Sequence, residues 1–125
     1  MKRTTTLAAA FLFALTVYAA DPVVIRDDAF YPLQNIAKEM KFTVHADKDL
    51  DFELEEDLAN NKKWAVKEYD ARIIKVEIDH DRADDPGEKD KAEFEVEGII
   101  AGSTTLELVY GNNEKTVKIH VTVTQ

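Results

Sequence analysis

The chain has 125 residues, no cysteine and a formal net charge of −9. That length and balance describe one small acidic domain, and the missing thiols exclude disulfides, cysteine nucleophiles and thiolate metal sites. The charge is uneven, because residues 1–20 carry Lys2 and Arg3, no acid, and the apolar run from Leu7 to Leu15.

A basic start, a short apolar stretch and the small residues Ala19 and Ala20 read as a secretory signal peptide over 1–19, cleaved after Ala19. The apolar run is shorter than the roughly 20 residues that a membrane span needs. The remaining chain has 14 basic against 25 acidic residues, a net charge of −11. Nucleic acid requires a basic surface, and anionic lipid repels an acidic one, so neither is expected as a partner. The expectation is a secreted or periplasmic monomer that needs no cofactor.

Residues 20–41 read as an N-terminal extension. Val23-Val24-Ile25 has the character of an edge strand. Leu33, Ile36, Ala37 and Met40 fall at i, i+3, i+4 and i+7, which predicts a short helix with Pro32 in its first turn.

From residue 42 the apolar residues recur with period two, the mark of half-buried strands. Seven strands are predicted in chain order. They run through Phe42-Thr43-Val44; Leu50, Phe52 and Leu54; Trp64 and Val66, reaching towards Tyr69; Ile74, Val76 and Ile78; Phe94 and Val96; Leu106, Leu108 and Tyr110; and Val117, Ile119, Val121 and Val123. Seven short alternating strands over 42–125 predict an all-β, immunoglobulin-like antiparallel sandwich of seven strands.

The connections are unequal. Those at 55–63 and 80–90 are long, and that at 111–115 is intermediate. Successive connections of an antiparallel sandwich alternate ends, so these three share one end. Irregular loops grouped on a rigid scaffold are where binding function concentrates.

Chemistry is sparse. Of the three histidines, His120 lies on the outward face of the last strand, and His45 has no acid and nucleophile at readable spacing. Ser103 is the only serine and sits in a turn beside Gly102. These features do not make an enzyme. Asp79, His80, Asp81, Asp84, Asp85, Glu88 and Asp90 form an oxygen-rich run of the kind hard cations favour, but without the spacing or glycine of an EF-hand loop. No second histidine is placed to join His80 on zinc. Trp64, the sole tryptophan, reads as a structural anchor between two sheets.

The stretch from Phe42 to Tyr69 resembles the chagasin-like cysteine protease inhibitors. Their pattern is a strand followed by Asn-Pro-Thr-Thr-Gly-aromatic-x-Trp. With Trp64 on the family tryptophan, Asp57-Leu58-Ala59-Asn60-Asn61-Lys62 falls on that loop motif without a gap. Gly87-Glu88-Lys89-Asp90 falls on the family's Gly-x-Gly-Gly. The stretch from Ile100 to Tyr110 resembles its Ala-Gly turn and following strand. The resemblance implies an exported inhibitor that fills the cleft of papain-like cysteine proteases reversibly with three loops, the first over the catalytic cysteine. Carried onto this chain, the contact residues would be Asp57, Leu58, Ala59, Asn60 and Asn61; Gly87, Glu88, Lys89 and Asp90; and Asn112 and Asn113.

The departures lie in the motifs. Leu58 stands for the Pro, Asn61 for the Gly and Lys62 for the aromatic. After Tyr110, Gly111-Asn112-Asn113-Glu114 replaces a basic residue, Pro and an aromatic. They define the alternative reading, a non-inhibitory immunoglobulin-like module for another envelope protein. The acidic loops would suit a partner with a basic cleft.

Overall fold

The computed structural model describes residues 21–125. The predicted signal peptide lies outside the described residues. Among the described residues nine strands build two sheets: β1 (Val23–Val24), β2 (Ala29–Tyr31), β3 (Glu39–His45), β4 (Asp49–Glu56), β5 (Trp64–Glu68), β6 (Ile74–Asp81), β7 (Asp90–Gly98), β8 (Gly102–Tyr110) and β9 (Lys115–Thr124). One sheet has the order β1-β3-β9-β8-β5 and the other β2-β4-β7-β6. This is the expected immunoglobulin-like sandwich, with all seven predicted strands present as β3 to β9. No helix among the described residues is long and apolar enough to cross a membrane.

The alternation read from the sequence is the packing pattern. β9 buries Val117, Ile119, Val121 and Val123 and exposes the residues between them. β4 and β7 place Phe52 opposite Phe94, whose rings stack at 4.9 Å, and Phe42 tilts against Phe52 from the other sheet at 6.1 Å. Each such fully buried side chain contributes about 1.5–3 kcal/mol, so the core can hold without cross-links.

The sandwich is not wholly antiparallel. β3 runs parallel to β9, β1 parallel to β3 and β2 parallel to β4. The extension is therefore woven into both sheets. Val23-Val24 forms the edge strand that its composition predicts.

The helix predicted from Leu33 to Met40 does not form. Only a 3-10 turn at Leu33–Asn35 exists, Ile36 is already extended at φ −86 and ψ 113, and Met40 is buried within β3. Leu33, Ile36 and Ala37 do pack against the core, but the chain reaches it by crossing between the sheets. A segment this short has marginal intrinsic helicity, and pairing of Glu39 and Met40 with β9 prevails.

Candidate functional site

The connections 57–63, 82–89 and 111–114 emerge together, and side chains tie them to one another. Asp90, the first residue of β7, accepts the Leu58 N–H at Oδ2 and the Ala83 N–H at Oδ1, both at 2.8 Å. Lys62 Nζ pairs with Glu114 Oε2 at 3.1 Å, and the Gly111 N–H donates to the Lys63 carbonyl at 3.0 Å. Lys89 Nζ lies 3.7 Å from Glu55 Oε2. The first loop is thus braced by both of its neighbours.

That first loop is closed on itself. Asp57 and Lys62 exchange two backbone hydrogen bonds of 2.9 Å, and Leu58–Asn60 winds as a 3-10 turn between them. Asn60 Nδ2 donates to Asp57 Oδ2 at 2.7 Å. Asn61 ends the turn in the left-handed region, at φ 59 and ψ 36, where Asn is tolerated and β-branched residues are not. Ala59, Asn60 and Asn61 are exposed at the tip. In the other loops, Gly87 at φ 93 and Asn113 at φ 65 make the reversals, and Glu88, Lys89 and Asn112 are exposed.

Beneath the loops lies a buried carboxylate that periodicity alone could have flagged. Glu56 continues the inward series Leu50, Phe52, Leu54, and it is only 2% exposed. Its Oε2 accepts the Trp64 N–H at 3.0 Å, and its Oε1 lies 2.7 Å from His80 Nδ1. A buried charge needs such partners. Here they join the start of the first loop to its end and to β6. Trp64 is fully buried, packs on Tyr110 at 4.9 Å between ring centres, and donates its indole N–H to the Glu55 carbonyl at 2.9 Å.

The amides of Ala83 and Leu58, with Arg82 nearby, hold the Asp90 carboxyl below the usual carboxylate range. Burial first, then Asp57, Glu114, Glu55 and Glu56, pushes the Tyr110 hydroxyl up to about 12 and keeps it neutral.

The acidic run 79–90 does not gather into a cation site. Asp90 is occupied by backbone amides and His80 by Glu56. Among the described residues, carboxylate oxygens converge to within 4.8 Å elsewhere, in Asp27-Asp28-Asp51 and Asp49-Asp51-Glu95. These lie on the outward face of the four-stranded sheet. There the register aligns Asp51, Glu95 and Glu77 in one row and Glu53, Glu93 and Asp79 in the next. Much of the chain's acidity therefore sits on that face. His120 is on the outward face as expected, paired with Glu39. His45 bonds Thr124 Oγ1 at 2.7 Å.

No protein-family model matches the sequence, and no curated protein matches it. Solved structures do. The solution structure of amebosin aligns with a TM-score of 0.57 at 15% identity, over 77% of this chain and 97% of that one. The crystal structure of the cysteine protease inhibitor EhICP2 from Entamoeba histolytica aligns at 0.54 and 12%, over 82% and 99%. PbICP-C, solved in complex with falcipain-2, aligns at 0.56 and 13%, over 76% and 97%. The fold is that of the chagasin-like inhibitors. It is the fold that the motifs around Trp64 and Tyr110 imply.

Proposed function

We propose that this chain is an exported inhibitor that binds papain-like cysteine proteases reversibly, without covalent chemistry. Asp57 to Asn61 would enter the cleft over the catalytic cysteine, flanked by Gly87 to Asp90 and by Asn112 and Asn113. The observation that carries this reading is the cross-tying of three loops at one end of the sandwich by Asp90 and by the Lys62–Glu114 pair. Preordered loops spare the ordering cost of association, about 0.5–1.5 kcal/mol for each flexible side chain. The bridge between Asp57 and Lys62 also keeps the first loop from the extended form that a protease cuts. Structural relatives that are cysteine protease inhibitors, one of them bound to falcipain-2, support the reading.

The test is calorimetric titration into papain and into papain whose catalytic cysteine carries a bulky peptidyl inhibitor. Binding to the free enzyme and none to the blocked one is expected. Equal binding to both would place the contact outside the cleft and refute the reading.

A second reading, a non-inhibitory binding module, has one observation in its favour. Lys62 stands where the resemblance puts an aromatic, so the first loop offers no ring at that position to fill a protease cleft.

A further inference from the structure

The end of the sandwich that carries the three loops carries a fourth connection. β2 runs parallel to β4, with Tyr31 opposite Leu54, so the chain leaves β2 beside Glu55 and Glu56, where the first loop begins. The Leu33 N–H donates to Glu55 Oε1 at 2.9 Å, and Glu55 also pairs with Lys89 of the second loop. Residues 32–38 then cross to the other sheet and enter β3 at Glu39, opposite Lys118 of β9, next to the third loop. The Lys118 N–H closes this crossing by donating to the Lys38 carbonyl at 2.9 Å. The crossing therefore holds the footing of the first loop and borders the third, and it reaches the second loop only through Glu55. Its inner residues Leu33, Ile36 and Ala37 are anchored on the core, while Gln34, Asn35 and Lys38 face solvent.

A groove separates this crossing from the β8–β9 hairpin, with Ile36, Ala37 and Lys38 on one wall and Lys115, Thr116 and Val117 on the other. Glu114, at its mouth, is engaged by Lys62. Among the described residues, neither Lys38 nor Lys115 has a carboxylate partner. This is a basic spot on a strongly acidic protein.

We propose that residues 32–38 and this groove form a fourth contact surface, engaging the cleft rim of the same protease and receiving an acidic side chain from it. The inference rests on the loop reading above. It adds a determinant of which protease is bound, because rim charges discriminate among partners more than they add affinity.

The experiment measures inhibition constants and melting temperatures on the full mature chain. The variants are Lys38→Glu with Lys115→Glu, and separately Asn35→Trp. The control is Lys48→Glu with Lys75→Glu, an equal charge change at the opposite end. Both crossing variants should raise the constant roughly tenfold for a protease that the wild type inhibits, with the melting temperature and the control unchanged. If the wild type inhibits and both variants stay within about twofold of it, the fourth surface is refuted while the loop reading stands. If the wild type inhibits no papain-like enzyme, the loop reading fails and this inference fails with it. A photo-cross-linking residue at Gln34 gives an independent readout. It should capture the bound protease, and a protease complex that leaves it unreacted would contradict the fourth contact.

Discussion

Asp90 and Leu58 are 32 residues apart in sequence, yet the Asp90 carboxylate accepts the Leu58 backbone N–H at 2.8 Å. The same carboxylate holds Ala83. One side chain at the start of β7 therefore sets the first and second loops relative to each other.

Replacing Asp90 should loosen both loops. Hydrogen bonds to a charged group contribute about 1.5–3 kcal/mol each when removed, so Asp90→Ala should cost at least one such increment, and Asp90→Asn less. The pH dependence has a definite sign. The folded carboxyl is held below its ordinary value of 3.8. Its contribution is therefore complete above that value and is lost as pH falls through the lower folded value. Thermal melts of wild type and Asp90→Asn should converge towards acid pH.

Glu56 makes a second prediction. Glu56→Gln keeps a carbonyl oxygen for the Trp64 N–H, whereas Glu56→Leu leaves that amide and His80 without a partner. An orphaned buried donor costs about 1–3 kcal/mol. Chemical denaturation should rank the wild type above Glu56→Gln, and Glu56→Gln above Glu56→Leu. A leucine variant as stable as the wild type would show that the buried carboxylate is not what fixes the loop ends.

The acidic sheet face titrates in the opposite sense from Asp90. A shared hydrogen bond with Asp49, then desolvation, then the charges of Asp49, Asp51 and Glu77 push the Glu95 carboxyl up to about 7. A raised carboxyl stabilises the fold below its unfolded value and ceases to as pH rises through the folded value. Melting temperature should fall between the ordinary glutamate value of 4.5 and about 7, and Glu95→Gln should flatten that slope. An unchanged slope in the variant would remove Glu95 as the cause.

Gly98 separates fold from site. It ends β7 away from the loops, and a Cβ there would lie 2.8 Å from the His45 carbonyl oxygen and 3.0 Å from Val123 Cγ1. Backbone must shift to admit it, so Gly98→Ala should lower stability by about 1–3 kcal/mol. At temperatures where the variant is folded, its inhibition constant should match that of the wild type.

Most of the sandwich was legible because the alternating residues of β3 to β9 each had one face to bury. The helix from Leu33 to Met40 was misread because an apolar spacing of three and four also suits a chain crossing between two sheets. Nothing local tells a 3-10 turn bonded to Glu55 from the first turn of a helix. The loop grouping was legible from connection lengths, whereas its bracing was not. The Asp90–Leu58 and Lys62–Glu114 contacts join residues distant in sequence. Glu56 was within reach, since an acid at the inward position of an alternating strand demands a buried partner. His80 was an unforeseeable partner until β6 was set in register with β7.

Protease inhibition is tested most directly by titrating the mature chain against papain and a cathepsin-L-like enzyme with a fluorogenic peptide substrate. Reversible inhibition is expected with a constant below about 1 μM, which corresponds to roughly −8 kcal/mol, weakened when Asp57 to Asn61 is replaced by a glycine-serine loop. Full protease activity in the presence of tens of micromolar folded protein would contradict it.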